Sequence, residues 1–372
     1  MNRTHRLNLF ALGCALTMLL AGCPGPTPDP NDLDPNAVDP NATDPNVVEP
    51  NDVEPNETDP NAVDPNITDP NDVQPPPDAN EPPVLPFAAA SLTFDADAAP
   101  VIATAKSGVY RLQNGEYQMF ISSYDNHLFS VDRIRFVNGH YYIGQDSSGS
   151  PVIQLFDADG GFVAELIDPN DLRRLGGGAI EDMVVDAQGR VYFAFDRGRQ
   201  SRRGSGGLVY RIDADGLNET VIVSDGEAGA PGAVGLELAA NGDLYVATRT
   251  TIERFGPDGN FISTVVESGQ SGCESPARLA VDVAGNLHVW DQGSGLRGDI
   301  GSSVLTFDST GGFIEMRLSP ETIGNGRLDQ YAADLVVGPN DRLYVIDLYG
   351  DVFEITDDGQ LAIFADYGSG GR

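Results

Sequence analysis

The chain has 372 residues, with 56 acidic against 22 Lys and Arg side chains and a net charge of −34. A charge of that sign and size repels polyanions, so nucleic acid is excluded as a partner. The three cysteines form no Cys-x-x-Cys pair, which excludes the common zinc and dithiol redox motifs.

Residues 1–22 have the parts of an export signal: Arg3 and Arg6, a mostly apolar run from Leu7 to Leu20, then the small residues Ala21 and Gly22. A run of about 14 apolar-leaning residues is too short for a membrane span, which needs about 20. It ends Leu20-Ala21-Gly22-Cys23, a string that resembles the bacterial lipobox. The resemblance implies that Cys23 is acylated and becomes the mature N-terminus. Each buried lipid CH₂ contributes about 0.8 kcal/mol, so several acyl chains anchor where one is marginal. Pro24 stands where some bacteria place an inner-membrane retention Asp, which favours the outer membrane or cell surface. Cys14 leaves with the signal, so Cys273 is expected to be a tolerated free thiol.

Residues 23–86 read as a disordered stalk. From Asp29 to Val73 the unit [Asp/Glu]-Pro-Asn-x-x repeats nine times, and no Lys or Arg occurs between Cys23 and Pro86. Recurrent proline removes backbone donors and biases the preceding residue away from helix. Sparse apolar residues and carboxylate repulsion keep such a chain extended. Between flexible-coil and polyproline limits, 60 residues reach roughly 45 to 190 Å.

Composition shifts at residue 87, where short runs of Val, Ile, Tyr and Phe punctuated by Gly begin and continue to residue 372. No helical period persists for three turns, so 87–372 reads as strand throughout. Six hairpin turns recur, at Asn114-Gly115, Asp159-Gly160, Asp215-Gly216, Asp258-Gly259, Thr310-Gly311 and Asp358-Gly359, with glycine spacings of 45, 56, 43, 52 and 48. A second hairpin precedes most of them, as in Val184 to Tyr192, Leu238 to Tyr245, Val281 to His288 and Val337 to Tyr344. Two hairpins per repeat make a four-stranded blade, and six repeats make an all-β, six-bladed β-propeller.

The blades resemble NHL repeats and the wider gluconolactonase-like propeller superfamily, most clearly over Ala277 to Asp291 and at Asp258-Gly259-Asn260-Phe261. The resemblance implies the fold. Its activity is another matter, because the scaffold hosts many. The metal-dependent hydrolases of that group carry Glu-Gly-Pro and Pro-Asn-Gly motifs. Here blade 1 opens Ser91-Leu92-Thr93-Phe94 and blade 4 opens Ala233-Val234-Gly235-Leu236. Related lyases need clustered histidines, whereas this chain has only His127, His140 and His288 outside the signal. His288 fills a slot taken elsewhere by Tyr192, Tyr245 and Tyr344, which suits packing between blades.

Three sets of residues are site candidates. The first lies on loops that leave one face of the ring and are longer than the tight turns on the other: Arg173, Arg174, Arg197, Arg199, Arg202, Arg203, Arg297 and Tyr349. Clustered arginines there would grip an anionic group, or would simply be solvated beside neighbouring aspartates. The second is a polar column on the inner strands, Ser91, Arg133, Asp182, Arg278 and Asp334, with Gly235 in blade 4. Opposite signs in blades 2 and 3, and again in 5 and 6, predict inter-blade salt bridges, with Arg135 and Glu237 extending the lining. The third is Asp146, Asp196, Asp291 and Asp347, which end the second strands. They are expected to tie down loops through backbone amides, with calcium ligation as the alternative.

A non-catalytic binding propeller on a membrane tether is the leading expectation, with an envelope protein or glycan as partner and no cofactor. A divergent metal-dependent hydrolase or lyase and a purely structural envelope protein remain the alternatives.

Overall fold

Alternating apolar residues and paired turns build 24 strands among the described residues, in six four-stranded antiparallel sheets, each in simple sequence order. The computed structural model describes residues 82–367, apart from 107, 123–127, 129–130, 147–150, 169–178, 197–206, 215, 217–219, 224–231, 294–300, 325–327 and 329–330. Cys23, the stalk repeats and Arg173, Arg174, Arg197, Arg199, Arg202, Arg203 and Arg297 lie outside the described residues, as do the side chains of Asp146 and Asp196.

The innermost strands of blades 1 to 6 are Ala89–Phe94, Val131–Val137, Ala179–Val185, Gly235–Leu238, Pro276–Val281 and Ala332–Val337. Each touches the next around the ring, and the last touches the first. The expected six-bladed propeller is therefore closed.

Turn chemistry explains the tightness of one face. At the outer hairpin of blade 2, Asp157 Oδ1 accepts the amides of Asp159 and Gly161 at 3.0 and 2.7 Å. Asp308 does the same in blade 5 for Thr310 and Gly312, at 2.8 and 2.9 Å. Such side-chain mimicry of a backbone turn is a property of aspartate. Gly311 adopts φ +90°, and a Cβ there would stand 1.8 Å from the Val265 carbonyl oxygen of the preceding blade. Glycine is needed at that turn because one blade's turn presses on its neighbour's backbone.

The apolar core lies between blades. Val184, Tyr192, Val209 and Ile222 of blade 3 pack with Leu236, Leu244, Val246 and Phe255 of blade 4. The closing seam repeats the pattern, with Leu92, Ile102 and Tyr110 of blade 1 against Tyr344, Ile346 and Val352 of blade 6. Each buried Leu, Ile or Val stabilises by about 1.5–3 kcal/mol before entropy is set against it. The seam also holds a strap. Val84 bridges Asp366 in parallel, the Leu85 amide donates to the Asp366 carbonyl at 2.7 Å, and Leu85 is 2% exposed. The ring thus takes in Pro83 to Pro86, residues that the sequence reading assigns to the stalk.

Candidate functional site

Inner strands of five blades carry a register shift directly before the residue of the polar column. The extra residues are Ala90, Asp132, Glu181, Ala277 and Ala333. A bulge leaves its residue unpaired in the ladder, so backbone carbonyls are free to face the axis. Two arginines take them. Arg133 donates to the carbonyls of Asp132 and Glu181 at 2.7 and 2.8 Å. Arg278 donates to those of Ala333, Val234 and Ala277 at 2.9, 2.7 and 3.0 Å. Blade 4 has glycine in the column, because a Cβ on Gly235 would come within 2.5 Å of the Ala277 carbonyl oxygen.

One of the two expected salt bridges forms. Arg133 Nε meets Asp182 Oδ1 at 2.9 Å, joining blades 2 and 3. Asp182 Oδ2 also accepts the Leu236 amide at 2.9 Å, which carries the link on to blade 4. The other pair, Arg278 with Asp334, is replaced. Asp334 takes Arg135 at 3.2 Å and the Ser91 hydroxyl at 2.5 Å. Arg135, two residues beyond Arg133 on the inner strand of blade 2, reaches it across blade 1, where the column holds only the short Ser91. Sequence spacing showed the charges but not that Arg278 would be taken up by backbone carbonyls, leaving Asp334 to Arg135. Burial works against the Arg135 charge, yet Asp334 and Asp182 outweigh it and hold the group firmly protonated. Burial likewise opposes ionisation of Asp334, but Arg135, Arg133 and the Ser91 hydrogen bond pull its carboxyl below the usual range. Burial and the neighbouring Arg133 push Arg278 down to about 10, so it too stays cationic near neutrality.

Below this plug, towards the tight-turn face, the axis opens into a chamber of about 180 Å³. Its walls are the next inward residues of all six blades: Thr93, Arg135, Val184, Glu237, Ala280 and Val336. Glu237 is its one carboxylate. Burial raises Glu237 to about 7 despite the pull of Arg135.

The second-strand aspartates with described side chains hold loops. Asp291 Oδ1 accepts the amides of Glu274 and Ser275 at 3.0 and 2.5 Å, and its Oδ2 accepts that of Gly293 at 3.2 Å. Asp347 Oδ1 accepts Tyr349 and Asp351 amides, both at 2.9 Å. No group of three or more His, Cys, Asp or Glu among the described residues is arranged to hold a metal ion. The other Asp347 oxygen is buried with no hydrogen bond among the described residues, and burial lifts this carboxyl to about 6. Cys273 is fully buried 4.0 Å from Asp291, and burial drives its thiol far up, which makes it a poor nucleophile. His288 is buried between Thr306 at 3.0 Å and Asp282 at 3.4 Å, consistent with packing.

These shifts set a pH profile. Asp347 and Glu237 have folded-state values raised above 3.8 and 4.5, to about 6 and about 7. Each therefore binds protons more tightly when folded, so stability rises as pH falls through their folded values. Asp334 is lowered and works the other way, losing stability only in stronger acid. Urea unfolding at a series of pH values is expected to place maximum stability at about pH 4, where the gain from Asp347 and Glu237 ends and the loss from Asp334 begins. In Asp347→Asn the limb between pH 4 and 6 should flatten; an unchanged limb would show that Asp347 is not the group.

Tyr349 is the one residue of the proposed binding face with a described position. It is 46% exposed, on the turn that joins the second and third strands of blade 6, and Leu348 beside it is 57% exposed. Other exposed apolar residues lie on segments paired or bonded to this turn. Tyr331 precedes Ala332, which pairs with Asp347, and it is 42% exposed. Phe87 lies on the strap, where the Ala89 amide donates to the Gly350 carbonyl at 3.2 Å. The Tyr367 amide donates to Asp351 at 2.9 Å. Four half-exposed or exposed large side chains thus join Tyr349 at the closing seam. The sequence reading missed Phe87, Tyr331 and Tyr367 because they stand far apart in the chain; their segments come together only when the ends of the ring meet.

No family model and no curated protein matches the chain. Solved structures do match in shape. One described as a putative gluconolactonase superposes with a TM-score of 0.51 at 15% identity, covering 74% of this chain and 90% of its own. The likeness is one of fold. A calcium-binding regucalcin from Agrobacterium tumefaciens matches with a TM-score of 0.49 at 14% identity, over 73% of this chain and 90% of its own. A gluconolactonase from Xanthomonas campestris gives 0.47 at 16%, over 70% and 82%. The chain is a six-bladed propeller with gluconolactonase-like and regucalcin-like structural neighbours, and its chemistry has to be argued from its own residues.

Proposed function

We propose that the protein is a lipid-anchored bacterial envelope protein whose propeller, held off the membrane by the acidic stalk, binds a protein partner at the seam on its long-loop face. The observation that carries this reading is the exposed apolar group of Phe87, Tyr331, Leu348, Tyr349 and Tyr367 on an otherwise strongly acidic chain. Tyrosine and phenylalanine with an acidic surround suit a partner with an apolar centre and basic rim. An anionic leaflet would repel the same surface. Engagement of Asp291 and Asp347 by loop amides supports a scaffold that positions loops.

The test is capture from detergent-solubilised envelope by the full lipidated chain, against a Leu348→Ser/Tyr349→Ser variant. One protein should be retained stoichiometrically, and the double substitution should weaken it by about 30-fold, the loss of one binding hot spot. Equal capture by the variant would overturn the assignment of the face. Retention of a protease-resistant, periodate-sensitive material would replace the protein partner with a glycan. Cys23→Ser should move the chain out of the membrane fraction.

A further inference from the structure

The axial chamber lies at the other end of the ring from the seam patch and does not depend on it. Its shape is a small pocket inside a wider vestibule. The inner chamber of about 180 Å³ shares Thr93, Phe136, Leu238, Val281, Val336 and Val337 with an outer space of about 470 Å³. A cavity of about 150 Å³ takes a benzene-sized molecule, so the inner chamber suits a ligand of similar heavy-atom count.

Its charges decide which ligand. Arg135 is spent on Asp334, Ser91 and its own chain, at 2.8 to 3.3 Å. Glu237 is not. Its Oε1 accepts the Leu238 amide at 2.9 Å, and no hydrogen bond to Oε2 occurs among the described residues. Val184, Ala280, Val336 and the valines that follow them line the same chamber, between Thr93, Arg135 and the backbone of the inner strands. A carboxylate oxygen with no hydrogen bond among the described residues, under an outer rim that carries Asp95 and Asp282, favours a cation, and the short aliphatic residues beside it leave room for a small hydrocarbon body. An anion would meet Glu237 inside and Asp95 and Asp282 at the rim. A bare divalent metal would lack oxygens, since a calcium ion takes six to eight.

We infer that the axial chamber is a binding site for a primary alkylammonium group, with its N–H on Glu237 Oε2 and its chain among the aliphatic walls. The group could be a free amine or the side chain of a lysine offered by another protein, entering from the tight-turn face in either case. Binding restores the carboxylate that burial disfavours. The charged groups facing Glu237 are Arg135 from blade 2, Asp182 from blade 3 and Asp334 from blade 6. Burial raises Glu237 to about 7, so ammonium binding at pH 7 releases protons and weakens as the pH falls below 7.

Isothermal titration of the full chain with n-butylammonium chloride tests this directly. The expected result is saturable binding at one site, with a heat that depends on the buffer's ionisation enthalpy. Neither 1-butanol nor sodium butyrate should saturate the site. Glu237→Gln should weaken binding about ten-fold or more, the loss of one charge-assisted hydrogen bond, and should abolish the buffer dependence. Ala280→Leu fills the chamber without touching charge and should block binding as well, which keeps the test valid if Glu237→Gln folds poorly. Butanol binding as tightly as butylammonium, or binding that survives both substitutions, would overturn the site. A Gly-Lys-Gly peptide run in parallel separates the two carriers: saturable binding of either supports the site, and binding of neither overturns it.

Discussion

Asp182→Ala is expected to lower the unfolding free energy by about 3–5 kcal/mol, the usual cost of removing one partner from a buried pair. Asp182 joins three blades at once. Its Oδ1 accepts Arg133 Nε and the Met183 amide, both at 2.9 Å, and its Oδ2 accepts the Leu236 amide at 2.9 Å. The carboxylate is 2% exposed, so water cannot replace it. Truncation leaves the buried Arg133 without its counter-charge and the Met183 and Leu236 amides without their acceptor, and these penalties add to the lost pair. Asp182→Asn should cost less, because an amide oxygen can still serve Leu236. The single tryptophan, Trp290, is fully buried in blade 5 and reports unfolding by fluorescence in urea. A loss below about 1 kcal/mol would mean that the plug is ornamental to stability.

The same plug shows how far the sequence could be read. Glycine-centred turns at regular spacing made the blade count legible, because a hairpin turn has a chemical signature within four residues. The polar column was legible too, since homologous positions in repeats must share a place in the ring. Its wiring was not. The exchange of Arg278 for Arg135 as the partner of Asp334 depends on bulges at Ala277 and Ala333, which turn carbonyls inward and satisfy Arg278 locally. No residue type announces such a bulge. Arg135 and Glu237 were noticed only as further lining, yet they separate a neutralised plug from a chamber with a single unshared carboxylate oxygen.

The seam was hidden for a different reason. Leu85 sits between Val84 and Pro86, beside a proline pair, and composition alone places it in the stalk. What binds it is Asp366, 281 residues later, and no local pattern encodes that contact. Phe87, Tyr331 and Tyr367 became a patch by the same closure. Features made by ring closure are non-local by construction, whereas turns and strand periods are local, and that division matches what was and was not foreseen.

Leu85→Ala gives the second large effect and asks whether the ring melts as one unit. The side chain is 2% exposed, in the cluster that holds Leu92 and Ile102 of blade 1 with Tyr344 and Ile346 of blade 6. Its removal is expected to cost about 2–4 kcal/mol, as for other buried leucines. Val84→Ala is the control, since Val84 is 70% exposed and should stay within about 0.5 kcal/mol of the parent. The strap is held at its ends by few hydrogen bonds, so the seam is where opening should begin. Hydrogen exchange should therefore quicken first at the amides of Leu85, Ala89 and Asp366, which bond across it. Every blade shares its core with the next, however, and an opened seam exposes both faces of one of those cores. The Trp290 transition in blade 5 should move by the same amount as the seam signal. Seam exchange that quickens while the Trp290 midpoint stays fixed would show instead that blades 1 and 6 can part without unfolding the rest.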